Sequence, residues 1–391
     1  MQIQLRPHQE RGVAAMLQHN KGQIIVPTGG GKTLKMIYDT MRLFQSETPQ
    51  TVVVVAPRIL LAEQLSSEFL EHIKTVAVLH VHSGETHHTS TTKPAEIYNW
   101  SRRAYKHQLI FTTYNSLQRI VDAEIDVDTI YFDEAHNSVK RNFFPATEHF
   151  SANARRAYFF TATRKTSVTT NKPGMNDREV YGDIICRVSA PELVDGGYII
   201  APKIVAKKFD VLAPKQVTAD CDSNNLMETL EDIDCKKILV CVKSAKQLIN
   251  LMSHTDCAAE LNQRGYSYLY ITSKTGAIID GKKVNREVFF DTLNAWGRDP
   301  NKKFVCLHRS ILSEGINVSE LEAVVFLRNM DVIEMTQTIG RVLRLGGKEK
   351  VWGLCVVPVY SKVGVSTERA LQRVVDAVFE KGEMLDSVVR R

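Results

Sequence analysis

The chain has 391 residues, 43% hydrophobic and 24% charged, with 50 Lys+Arg against 44 Asp+Glu for a formal charge of +6. That length exceeds one compact core and fits two domains of roughly 150–200 residues each. The composition excludes disordered and fibrous classes, and no apolar run approaches the ~18–20 residues that span a bilayer.

The opening MQIQLRPHQE carries polar residues where a signal peptide has its apolar region, so a cytoplasmic protein is expected, in the host cytoplasm if phage-encoded. Seven scattered cysteines without a C-x-x-C pair suit neither a disulfide framework nor a structural zinc site. The mild positive charge is compatible with polyanion binding without demonstrating it.

In chain order, short β-branched runs alternate with amphipathic stretches. Strands are predicted at 23–26, 51–56, 109–112, 129–132 and 157–161, with helices over 33–44 and 59–72 between them. Residues 209–236, with Pro214, a polar stretch and a short acidic helical pattern, read as a connector. A second series of strands runs through 238–242, 268–272, 304–307, 323–327 and 353–357, followed by a helix across 366–389. Buried strands linked by helices predict an α/β fold of two tandem domains, 1–208 and 237–391, with mostly parallel sheets. The Lys-rich 273–301 reads as a surface loop plus helix inserted in the second domain.

The first chemical signal is Val26-Pro27-Thr28-Gly29-Gly30-Gly31-Lys32-Thr33, between a predicted strand and a predicted helix. That is the setting of a phosphate-binding P-loop. Glycines let backbone N–H groups converge on a phosphate, and the helix N-terminus adds a favourable dipole. Lys32 is then placed to reach the β- and γ-phosphates of ATP, and the Thr33 hydroxyl to hold Mg²⁺. Val26 replaces the first glycine of the full G-x-x-x-x-G-K-T pattern, which requires only that the backbone path be preserved.

Hydrolysis also needs a carboxylate for the metal and one for the water. Asp133-Glu134-Ala135-His136 follows the apolar run 129–132, about a hundred residues beyond Lys32. Acids at the end of a buried strand beside a P-loop strand form the Walker-B arrangement. Asp133 is expected to bind Mg²⁺, Glu134 to polarise the attacking water, and His136 to face the next domain. His80, His82, His87 and His88 cluster without a Cys or paired Asp to complete a metal site, and Phe143-Phe144 reads as core.

With these motifs in place the chain resembles the superfamily 2 helicases and translocases, from Leu5 to Arg344 and in the family's motif order. The resemblance implies two RecA-like P-loop NTPase domains using ATP and Mg²⁺. Leu5-Arg6-Pro7-His8-Gln9 resembles the adenine-reading Q-type motif, which implies Arg6 and Gln9 at the nucleotide beside Thr28, Gly29, Gly30 and Gly31. Ala56-Pro57-Arg58 and Thr112-Thr113-Tyr114 resemble motifs Ia and Ib, implying nucleic-acid contacts at Pro57, Arg58 and Thr113. Thr161-Ala162-Thr163 resembles motif III, whose hydroxyls couple the acidic motif to the nucleic-acid site. In the second half, 238–246 resembles motif IV, Ser313-Glu314-Gly315-Ile316-Asn317 motif V, and 337–344 motif VI. These imply nucleic-acid contacts at Lys243 and Thr272, nucleotide contacts at Gly315 and Asn317, and catalytic roles for Gln337, Arg341 and Arg344. Arg344 is the implied arginine finger and Arg341 its companion. Asn317 replaces the usual Asp of motif V, which implies slower turnover.

Asp-Glu-Ala-His invites comparison with the DEAH-box RNA helicases, but their P-loop and motif VI read G-E-T-G-S-G-K-T and Q-R-x-G-R-x-G-R. The forms here resemble instead the DNA-directed branch of phage recombination helicases, restriction-enzyme motors and repair translocases. This implies an ATP-driven DNA helicase or translocase, monomeric and moving 3′→5′ on forked or branched duplex. An RNA helicase and a nucleotide-gated DNA clamp are the alternatives. Because two RecA-like domains consume nearly the whole sequence, specificity is expected from 273–301, the C-terminal helix or an accessory protein.

Overall fold

A computed structural model describes residues 3–84, 86–103, 106–169, 171–209, 218–272, 274–308, 321–327, 353–360, 372, 375–384 and 386–389. The chain divides into two compact units, Met1–Ser189 with Met384–Arg391, and Ala190–Glu383.

The first unit contains β1 (Lys21–Ile25), β2 (Thr51–Ala56), β3 (Ala77–Val81), β4 (Gln108–Thr113), β5 (Thr129–Phe132), β6 (Arg156–Thr161), β7 (Arg164–Ser167) and β8 (Ile184–Arg187). Helices α1 (Pro7–Gln18), α2 (Lys32–Leu43) and α3 (Ile59–His72) lie among them. Seven strands form one sheet in the order β3-β4-β2-β5-β6-β1-β8, and every pairing in it is parallel. Val52 to Val55 are each 0% exposed, so both faces of β2 are covered, which is why this strand reads as a continuous apolar run rather than an alternating one. The strand order sets β6 between β1 and β5. The segments leaving their carboxyl ends, 26–33, Thr161–Thr163 and Asp133–His136, therefore emerge side by side, where open α/β sheets bind ligands.

At the opposite ends of these strands a polar network ties α2 to the sheet. Asp39 accepts from Arg156 Nη2 at 2.8 Å and from the Tyr131 hydroxyl at 2.6 Å. Arg156 also donates through Nε to the Tyr158 hydroxyl at 2.9 Å and through Nη2 to the Met16 carbonyl at 3.2 Å. Burial, with the Asp39 charge adding to it, pushes the Tyr131 phenol far up, so it remains a donor.

A second buried polar chain lies on β3. Gly84 N–H donates to His82 Nδ1 at 3.2 Å, which puts the His82 proton on Nε2, 3.0 Å from His80 Nδ1. His80 must then carry its own proton on Nε2, 3.0 Å from Ser66 Oγ. A further proton on His80 would set N–H against N–H. Burial, reinforced by His82 and His88, lowers its pKa to about 3. The unfolded chain binds this proton below about pH 6.5 and the folded chain does not, so the group withdraws stability as pH falls from about 6.5 towards 3. The expected slope is about 1.4 kcal/mol per pH unit. Unfolding free energies from urea titrations should change little between pH 7.5 and 6.5 and approach this slope between pH 5.5 and 4.5, and His80→Gln should reduce it.

The second unit contains β9 (Pro202–Phe209), β10 (Lys237–Cys241), β11 (Ser267–Thr272), β12 (Gly276–Ile279), β13 (Lys282–Val284), β14 (Phe304–His308), β15 (Ala323–Phe326) and β16 (Gly353–Tyr360). They form one sheet, β13-β12-β11-β14-β10-β15-β16-β9, antiparallel at β11/β12 and β12/β13 and parallel elsewhere. The division expected at 208/209 lies earlier in the structure, at 189/190, because β9 pairs with β16 along all eight of its residues. The expected connector at 209–236 likewise holds a helix, Thr218–Asp232. Its Leu226, Met227 and Leu230 join Ile238 and Val240 in the core beneath an acidic exterior. The segment read as a loop plus helix contains the β12–β13 hairpin ahead of its helix, Arg286–Arg298. Asp280 (φ 44°) and Gly281 (φ 79°) give its two-residue turn the left-handed backbone such hairpins use.

The helix expected at 366–389 is corrected at its end. Asp386–Val389 is a strand, β17, paired in parallel with β7. Asp386 faces Arg164 across the pair, with 3.6 Å between Oδ2 and Nη1. Among the described residues no helix is long and apolar enough to cross a membrane.

Candidate nucleotide site

The loop after β1 is shaped by its glycines. Gly29 (φ 88°) and Gly31 (φ 70°) take left-handed backbone, and Gly30 N–H donates to the Pro27 carbonyl at 3.0 Å. Gly31 is the N-cap of α2, so Lys32 and Thr33 begin the helix. A Cβ on Gly31 would lie 2.1 Å from Gln9 Nε2, so the Gln9 amide occupies the space that a side chain would need.

Gln9 is oriented from its other end. Its Oε1 accepts from Arg6 N–H at 2.9 Å, which fixes Nε2 as the inward group. That Nε2 is buried with no hydrogen-bond partner. A buried donor held at a phosphate loop fits a ligand that brings an acceptor, such as the edge of a nucleotide base.

Lys32 Nζ and Glu134 Oε1 are 2.9 Å apart, joining the P-loop to the acidic motif. Glu134 itself has left-handed backbone (φ 45°, ψ 53°), a turn that carries the chain from β5 into the short helix Ala135–Asn137. Asp133 is 6% exposed, and burial pushes its carboxyl up to about 7, with Lys32 opposing and Glu134 adding to the rise. A buried carboxylate whose charge is costly suits a cation, so Asp133, with Thr33 at the start of α2, would be the residues to hold Mg²⁺, which would supply positive charge at the phosphates.

His136 links this pair to β6. Thr161 Oγ1 donates to the Thr163 carbonyl at 2.8 Å, so it accepts from His136 Nδ1–H at 3.0 Å. Asn137 Nδ2 donates to His136 Nε2 at 3.3 Å, completing a neutral imidazole. Burial lowers the His136 pKa, with Glu134 partly opposing it. The three residues expected to couple, His136, Thr161 and Thr163, thus form one hydrogen-bonded unit, and Glu134 Oε2 lies 3.6 Å from His136 Nδ1.

The residues expected at nucleic acid are less uniform. Arg58 is exposed at the N-cap of α3, and Pro57 precedes it at the end of β2. Thr113 is 3% exposed, with its hydroxyl 3.4 Å from Ser116 Oγ, so Asn115 and Ser116 are the members of that turn open to solvent. In the second unit Lys243 is exposed. Thr272 is buried and accepts from Thr275 N–H at 3.0 Å and Lys274 N–H at 3.3 Å. Gly315, Asn317, Gln337, Arg341 and Arg344 lie outside the described residues.

Two cations were missed in the sequence. Lys140, just past the acidic motif, and Lys165, just past Thr163, stand near Arg58. Burial depresses the Lys140 pKa, and Lys165 and Arg58 depress it further. Like charges gathered beside strand ends suit a polyanion. Their positions directly after two recognised motifs were the available signal.

Residues 2–166, less than half of the chain, match the family model described as Type III restriction enzyme, res subunit. The solved structure of the ATP-dependent Type ISP restriction-modification enzyme LlaBIII bound to DNA superposes on 100% of the chain with a TM-score of 0.77 at 17% identity. The chain has a superfamily 2 helicase-like fold. The chain spans 31% of the length of LlaBIII. The Pyrococcus furiosus Hef helicase domain matches with a TM-score of 0.54 at 13% identity, over 95% of this chain and 98% of that one. Dbp5 L327V from S. cerevisiae, bound to RNA and ADP BeF3, matches with a TM-score of 0.60 at 16% identity, over 97% and 89%. No curated protein sequence matches the chain.

Proposed function

We propose that the chain is an ATP-hydrolysing motor that moves along or separates DNA strands. The observation carrying this reading is the 2.9 Å contact of Lys32 with Glu134, in the segments that leave the carboxyl ends of β1 and β5 on either side of β6, beside the unpartnered Gln9 amide. Gln9 and Arg6 hold the base, the Gly29–Gly31 backbone takes the phosphates, and Lys32 releases Glu134 to meet the γ-phosphate. Glu134, freed from that ion pair, accepts a proton from the attacking water. Mg²⁺, when held by Thr33 and Asp133, supplies neutralising charge at the phosphate oxygens. His136 reports the position of Glu134 to Thr161 and Thr163, and so to the strand that carries Lys165. Arg341 and Arg344 complete the reading as the cations that stabilise the transition state.

DNA is favoured over RNA by the restriction-enzyme family match and by the form of the P-loop. The fold is shared with an RNA-bound relative and does not discriminate. Arg58, Lys140 and Lys165 supply a sequence-independent grip on phosphates, so binding should weaken with salt. ATP turnover should rise at least tenfold with single-stranded or forked DNA, and more than with RNA. Strand displacement on forked DNA, run beside an RNA duplex, tests the rest. Turnover indifferent to any nucleic acid overturns the motor, and stimulation by RNA alone overturns the DNA assignment. Tight ATP-gated binding without displacement or movement leaves the clamp.

A further inference from the structure

The P-loop places three glycines in succession, and glycine does not fix its own peptide orientation. Something else must decide which way the Gly30–Gly31 peptide faces. Two side chains that the nucleotide reading does not use meet its carbonyl. His8 Nε2 lies 3.1 Å from the Gly30 oxygen, and Lys35 Nζ lies 3.3 Å from it. A carbonyl only accepts, so His8 carries a proton on Nε2, and both groups donate to one oxygen. Both are deeply buried, His8 at 1% exposure and Lys35 at 0%. The stem of Lys35 lies directly on α1, where a Cβ on Gly12 would come within 2.7 Å of its Cε. A buried lysine aimed at its own loop is costly to keep unless it serves the site.

In a planar trans peptide the C=O of one residue and the N–H of the next point in opposite directions. Holding the Gly30 carbonyl inward therefore turns Gly31 N–H away from His8 and Lys35. We infer that His8 and Lys35 are positioning residues that lock the Gly30–Gly31 peptide so that its N–H is presented to the nucleotide phosphates. The inference rests on the ATP-binding reading above and adds a pair of residues to it. Without the two donors the triglycine segment samples both peptide orientations, and the bound state must order it.

Calorimetric titration of ATP and ADP, each with Mg²⁺, tests this on the full chain. His8→Phe and Lys35→Met should each weaken both nucleotides by about tenfold, as expected for one strong hydrogen bond. His8→Gln keeps an N–H near the place of Nε2 and should restore most of the affinity, which a mere packing role would not do. Wild-type affinity in both His8→Phe and Lys35→Met overturns the inference, as does a His8→Gln variant as weak as His8→Phe. A wild-type chain that binds no ATP fails the nucleotide reading itself.

Discussion

Glu134→Gln is expected to lower ATP turnover by about 10²–10⁴-fold, the range for loss of a general base, while ATP binding stays within a few fold of wild type. Glutamine keeps the size of the side chain and can still meet Lys32, but it cannot take a proton from water. Lys32→Ala should abolish turnover to a similar degree for a different reason. It removes the phosphate contact and leaves the Glu134 carboxylate, 2.9 Å away, without its cation. Nucleotide affinity should therefore fall along with turnover. Steady-state hydrolysis paired with equilibrium nucleotide binding separates the two patterns. Turnover within threefold of wild type in either variant would remove this pair from the chemistry.

Arg156→Met should be the most damaging single change to stability, costing about 3–5 kcal/mol. The guanidinium is mostly buried and its Asp39 partner almost wholly so, with side-chain exposures of 13% and 1%. Removing one partner strands a carboxylate in the interior beside the Tyr131 phenol. The melting temperature should fall by on the order of 10 °C. Asp39→Asn combined with Arg156→Met should recover much of the loss, since neither charge is then left alone. A melting temperature within 2 °C of wild type would show that the Asp39 carboxylate is already solvated.

The first unit was legible from sequence wherever a strand was apolar throughout. The runs at 51–56 and 129–132 coincide with β2 and β5, and 59–72 coincides with α3. Strands β3, β7 and β8 escaped notice because none is apolar and buried throughout: β3 carries His80, β7 (Arg-Lys-Thr-Ser) is polar, and β8 is a partly exposed edge strand. Strand β17 was hidden in an amphipathic tail, since its parallel partner lies more than 200 residues away and no local pattern announces such a pairing. The hairpin carried a readable signal, the Asp280-Gly281 turn, which the lysines around it obscured. In the site, Lys32, Thr33, Asp133 and Glu134 could be named from the residues themselves, because P-loop and acidic motif each follow a strand, whereas Gln9, Thr161 and Thr163 came from the family resemblance. What spacing could not supply was support from behind. His8, Lys35, Lys140 and Lys165 matter through distances to residues far away in sequence or folded back on the chain.

The backbone of Glu134 carries a consequence for how such a protein persists. Left-handed φ costs a non-glycine residue on the order of 1 kcal/mol, and glycine or asparagine would adopt it more readily. At this position a pressure towards tighter folding would favour discarding the acid. If Glu134 is the proposed base, keeping it needs a continuing demand for hydrolysis, and copies released from that demand should drift first at this residue.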